Sequence, residues 1–184
     1  MRKTVVTLFF VAFALAGLAQ AQSDCDQMYI KAMQANSPAE RAKLLKEFLA
    51  GCSGKGSQYE NFANAFLCTL PYQKTDQETL AYGEKAIALG GLDDAITSQV
   101  VMTLASVSNK LNHNDKTKTY AEQLIKIGQA GKAKEPEGAN WNTLIGVGHF
   151  LVGQSQQKTN DVGGALASYE AAYNLVKDNQ ILNE

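Results

Sequence analysis

The chain has 184 residues, with 17 basic against 18 acidic side chains and a formal net charge of −1. With no basic block, it lacks the electrostatic footprint of a nucleic-acid binder, and no basic amphipathic segment argues for a membrane surface. Three cysteines without a Cys-x-x-Cys pair leave thioredoxin chemistry, zinc ribbons and haem attachment without their signatures.

Arg2 and Lys3 begin the chain, an uncharged apolar run follows from Val5 to Leu18, and Ala19-Gln20-Ala21 places small residues where a signal peptidase reads. This order predicts a cleaved secretory signal over residues 1–21. The run is shorter than the 18 or more residues of a spanning helix. Lipidation needs a cysteine directly after it, and Leu18 stands there instead. A second lipobox-like stretch ends at Cys52, but Arg41, Lys43, Lys46 and Glu47 before it make an amphipathic segment. Loss of 1–21 leaves 163 residues with 15 basic against 18 acidic side chains, one domain's worth. The expected protein is periplasmic or secreted, with no membrane anchor after cleavage.

Helix signals then follow in order. Ser37-Pro38-Ala39-Glu40 is a capping box with proline at the first helical position. Ser57-Gln58-Tyr59-Glu60 and Thr75-Asp76-Gln77-Glu78 repeat it. Asn114 and either Asn160 or Asp161 are further caps. Gly51, Gly90-Gly91 and Gly128 mark stops. Between these signals the apolar spacing is helical, as in Leu44, Leu45, Phe48 and Leu49, or Ala165, Tyr169, Ala172 and Leu175. Eight helices are predicted, at 24–35, 38–50, 57–70, 76–89, 94–111, 115–129, 139–157 and 161–177. Short connections pair them as antiparallel hairpins over 24–50, 57–89, 94–129 and 139–177. The fold class is all-α.

In such a hairpin the start of one helix meets the end of the next, and Cys25 and Cys52 hold those places. Cys52 and Cys68 lie near opposite ends of the third helix, which at roughly 1.5 Å per residue is far beyond disulfide reach. The prediction is a Cys25–Cys52 bridge with Cys68 free.

The hairpins repeat. YGEKAIAL from Tyr82, YAEQLIKI from Tyr120 and SYEAAYNL from Ser168 align as second helices. Sixteen residues before Gly83, Ala121 and Tyr169 stand Leu67, Ala105 and Gly153, on first helices. Thr79, Thr117 and Ala165 share one position. Ala86, Leu124 and Ala172 share the next inward one, and Leu89, Ile127 and Leu175 the one after. This resembles the tetratricopeptide repeat family, in which helical hairpins carry small residues where two helices cross closely. GHFLVGQSQQKTNDVGGALASYEAAYNLV is the best single match, through Gly153, Ala165, Tyr169 and Ala172. The anchors lie 38 and 48 residues apart against the family's 34; the excess falls in loops, the larger around Pro136. The family's tryptophan is absent from its expected place, since Trp141 stands eight residues too early.

The resemblance implies a short right-handed solenoid over 22–184, whose concave wall is lined by first helices and holds a peptide or protein partner. Carried over, it selects Asn61 and Asn64; Gln99, Met102, Ser106, Asn109 and Lys110; and Phe150, Gln154, Gln157 and Lys158. Side-chain amides both donate to and accept from a peptide backbone, and the lysines suit a carboxylate. Against this stand few marks of chemistry. His113 falls in a turn and His149 in a first helix, neither with a second ligand at metal spacing. Cys68 has no local base, and Gly146-Val147-Gly148 follows no strand and opens no phosphate loop. The reading is an interaction scaffold with no cofactor, no metal and no catalytic residue. The alternative is a helical envelope protein that binds a small molecule or acts as a hydrolase. The last hairpin, including Tyr173 and Val176, is expected to present an uncovered face that docks on a partner or a second copy, or that a longer chain covers.

Overall fold

The computed structural model describes residues 24–136 and 140–176. These form α1 (24–33), α2 (Pro38–Cys52), α3 (Glu60–Thr69), α4 (Asp76–Leu89), α5 (Asp94–Lys110), α6 (Asn114–Lys134), α7 (Trp141–Lys158) and α8 (Val162–Val176), with no strand among them. The expected signal at 1–21, the Val176 side chain, Ile181 and Leu182 lie outside the described residues.

The caps explain most boundaries. Thr75 accepts from the Glu78 amide at 3.0 Å, and the Glu78 carboxylate accepts from the Thr75 amide at 2.8 Å, a complete capping box. Ser37, Asp93, Asn140 and Asp161 each cap by accepting one amide of the following turn. Gly90 closes α4 at φ 69°, a conformation open to glycine. The box expected at Ser57 does not form. The Ser57 hydroxyl donates to Asp26 at 2.8 Å, the Glu60 carboxylate accepts from the Gly54 amide at 2.9 Å, and α3 starts only at Glu60. Asn114 is the first residue of α6, not its cap, and Gly51 lies inside α2.

The largest departure is α6. Its expected stop at Gly128 is passed, and the helix continues to Lys134. A Cβ on Gly128 would stand 2.6 Å from Ile145 Cγ1, and one on Gly131 would stand 2.5 Å from the Trp141 ring. Both glycines are there so that α7 can approach the α6 backbone.

Each helix packs on the next, and the contacts that join them are antiparallel: Asn61 with Gly90 across α3 and α4, Gly148 with Ile125 across α6 and α7, and Gly153 with Tyr169 across α7 and α8. Three apolar clusters follow one another along the chain. The first is built on Cys25, Tyr29, Leu45, Phe48 and Leu67, the second on Cys68, Leu80, Val100 and Leu104, and the third on Ala105, Ala121, Leu151 and Val152. Tyr82 packs against the first and second clusters, and Tyr120, its aligned counterpart, against the second and third. Thr79, Thr117 and Ala165 are all buried, as are Ala86, Leu124 and Ala172. The next position breaks the pattern. Leu89 is 43% exposed because α4 ends there and the chain turns away at Gly90.

Cys25 and Cys52 are bonded, with their Cα atoms 5.6 Å apart. Cys68 is free and buried.

Candidate functional site

The odd-numbered helices form a row. α3 packs on α5 and α5 on α7. Even-numbered neighbours reach one another through long side chains: Lys46 to Glu78 across α2 and α4, and Lys116 and Tyr120 to Glu84 across α4 and α6. The row is parallel. Asp94 and Trp141, at the starts of α5 and α7, line one cleft, while Asn109 and Lys158, near their ends, are bonded to each other.

On α5, Gln99, Met102, Ser106 and Lys110 are exposed at helical spacing and Asn109 is half-buried. On α7, Phe150, Gln157 and Lys158 are exposed and Gln154 is half-buried. The two stripes join at one end. The Asn109 amide donates to Gln154 Oε1 at 2.7 Å, and Lys158 Nζ donates to the Asn109 carbonyl at 2.6 Å and to its side-chain oxygen at 2.9 Å. Lys110 pairs with Asp76 at 2.8 Å. Tyr169 donates from its hydroxyl to Gln157 at 2.8 Å and sets its ring 5.7 Å from Phe150. Met102, 38% exposed, and Phe150, 47% exposed, are the two apolar side chains of this surface.

α3 contributes differently. Asn64 is 4% exposed, and its amide donates to the Glu60 carbonyl at 2.7 Å within its own helix. Asn61 donates to the Gly90 carbonyl at 2.6 Å and holds α3 against the end of α4. Both amides are occupied by the fold, so the accessible surface is that of α5 and α7.

Sequence spacing did not reveal three of the contacts around this surface. Asp76 anchors Lys110 from a helix start 34 residues earlier. Tyr169 orients Gln157 from the neighbouring helix. Trp141 rests on Gly131, and its Nε1 donates to the Glu135 carbonyl at 2.9 Å. The last of these shapes a cleft of about 430 Å³ beside Gln99, Ser98 and the exposed Asp94–Lys134 ion pair. The spacing of Gly128 and Gly131 ahead of Trp141 was the available signal.

The titratable groups Cys68, His149 and Glu84 are shifted by their surroundings. Burial pushes the Cys68 thiol up to about 11, with Lys74 opposing, so at neutral pH it is a protonated thiol. Burial alone lowers the imidazole of His149. A hydrogen bond from Lys116 holds the Glu84 carboxyl below its ordinary value. Among the described residues no three His, Cys, Asp or Glu side chains are grouped to hold a metal, and no helix is long and apolar enough to cross a membrane. No protein-family model, curated protein or solved structure matches the chain.

Proposed function

We propose that the chain is an exported interaction scaffold that performs no chemistry. In this reading the row of α3, α5 and α7 is the concave wall of a short right-handed solenoid of the tetratricopeptide kind, and an extended segment of a protein partner lies across α5 and α7. The observation that carries the proposal is the joined surface of Asn109, Gln154 and Lys158, flanked by exposed Met102 and Phe150. The bonds among Asn109, Gln154 and Lys158 fix the two helices against each other, exposed Gln99 and Gln157 carry side-chain amides of the kind that pair with a peptide backbone, and two exposed apolar side chains provide anchors. The close contact of odd-numbered helices, with longer reaches between even-numbered ones, is what a curved stack of hairpins requires. Export is supported by the signal pattern and by the Cys25–Cys52 bond, which suits an oxidising compartment.

The test is co-purification from envelope extracts with the wild-type chain and with Met102→Ala/Phe150→Ala. One stoichiometric partner retained by the wild type and lost by the double variant supports the proposal. An identical set of proteins from both contradicts it.

A second reading, small-molecule binding, rests on the cleft beside Trp141. Trp141 is the only tryptophan in the chain. A saturable change in its fluorescence with a low-molecular-weight envelope extract, unaffected by Met102→Ala/Phe150→Ala, would favour that reading.

A further inference from the structure

The Cys25–Cys52 bond joins the first turn of α1 to the last residue of α2 and is buried, with Cys25 4% and Cys52 2% exposed. The large members of its apolar cluster, Tyr29, Leu45, Phe48 and Leu67, are buried as well. One side chain on the bond differs. Met28 stands three residues after Cys25, on the same side of α1 by helical spacing. Its Sδ lies 3.8 Å from Cys52 Sγ. Its Cε lies 3.9 Å from where a Cβ on Gly51 would stand. Gly51 is exposed and has no side chain, so that flank of Cys52 is left to Met28. Met28 thus lies across the end of α2, 38% exposed.

A disulfide is reduced when a thiolate attacks one of its sulfurs. A new S–S bond forms to the attacked sulfur, and the other sulfur leaves as a thiolate. A reductant that comes from water towards Cys52 past Gly51 meets the Met28 thioether first. The thioether rests on the neighbouring sulfur and on bare backbone through dispersion alone, so its hold depends on its remaining apolar.

We propose that Met28 is a cover over the Cys25–Cys52 bond and that a peroxide opens it. The Met28 sulfur attacks the peroxide, an S–O bond forms as the O–O bond breaks, and water leaves. The sulfoxide is polar and prefers water to the edge of an apolar cluster. It turns outward and leaves Cys52 open to a thiolate. The bond is then durable towards thiols until an oxidant has acted on Met28, and labile afterwards. This inference is independent of the α5–α7 surface.

Reduction of the purified chain by dithiothreitol, followed by alkylation and mass spectrometry, tests it. Met28→Ala should be reduced several-fold faster than the wild type. Met28→Leu, which keeps an apolar side chain of similar volume, should match the wild type. Ile30→Ala, which truncates an equally exposed residue of the same helix, should match it too. Treatment with hydrogen peroxide should place a sulfoxide on Met28 and speed reduction of the wild type several-fold, with no effect on Met28→Leu. A wild-type rate in Met28→Ala overturns the proposal, as does equal acceleration by Ile30→Ala, which would mean that α1 is merely loosened. So does a Met28 that resists peroxide, or a peroxide effect of the same size in Met28→Leu.

Discussion

The first and last hairpins are held together in opposite ways. In α1–α2 the means are bulk and a covalent bond. Tyr29 stacks on Tyr59 with ring centroids 4.4 Å apart and meets Phe48 edge-on at 5.8 Å, Leu45 and Phe48 are fully buried, and Cys25 is bonded to Cys52. In α7–α8 the means are small residues, with Gly153 lying under the Tyr169 ring and Ala165 and Ala172 buried in α8. The first arrangement turns its aromatic side chains inward, while Met28 and Ile30 on α1 stay 38% and 39% exposed. The second leaves Val162, Leu166 and Tyr173 outside. Damage to the first hairpin should therefore cost more stability than truncation of the outer face of the last.

The largest expected effect is on the first hairpin. The Cys25–Cys52 bond spans 27 residues, and a loop of that size restricts the unfolded chain by about 3–4 kcal/mol. Cys25→Ser/Cys52→Ser should lose stability of that order in urea unfolding, and reductant should then have no further effect. Loss of less than about 1 kcal/mol would mean that the aromatic stack alone holds α1.

Glycine-to-alanine changes sharpen the comparison, beginning where α7 meets α6. A Cβ on Gly148 would stand 2.9 Å from the Ala121 carbonyl oxygen, which is backbone and moves little, and 2.6 Å from Ile125. Gly148→Ala should cost about 1–3 kcal/mol, offset by at most about 1 kcal/mol of helix propensity. Ala172→Leu, at 7% exposure between α7 and α8, should cost a similar amount. Gly163→Ala meets open space and should be neutral or stabilising by up to about 1 kcal/mol. Thermal melts of the three variants check the opposite signs. A destabilising Gly163→Ala would mean that α8 starts differently.

The smallest expected effect is the pH response of the last hairpin. Burial lowers the imidazole of His149, so the unfolded chain takes up its proton first. The stability held by neutral His149 is complete above its ordinary value of about 6.5. It is lost as pH falls from there through the lowered folded value. His149→Gln should flatten the melting temperature between pH 7 and 5. An unchanged slope would place the response in another group.

Much of the fold was legible because local chemistry coincided with tertiary packing. Thr75 and Glu78 form the box their spacing announces, and Cys25 and Cys52 bond because hairpin ends meet. The failures lie where a distant residue claimed a local signal. Ser57 spells a cap but is taken by Asp26, and Glu60 is taken by Gly54 and Lys85. Gly128 reads as a stop, yet Ile145 from the next helix occupies the space its missing side chain leaves. A single sequence does not distinguish a glycine that ends a helix from one that admits a neighbour. The candidate surface divides likewise. The α5 and α7 stripes follow helical spacing and are exposed or half-buried, but Asn64 is buried and Asn61 is tied to Gly90. Tyr169 and Asp76 shape the surface from other helices, and Trp141 does so from the start of α7 by resting on Gly131 of α6; only the folded chain makes these contacts.

Photo-cross-linking in the living cell tests the central claim most directly. A benzophenone amino acid placed at Met102 or at Phe150 stands on the proposed surface, and one at Glu122 stands exposed on α6 as the control. Irradiation should yield one discrete heterologous adduct from both Met102 and Phe150, and none from Glu122. The same adduct from all three positions, or an adduct from Glu122 alone, would contradict a partner bound across α5 and α7.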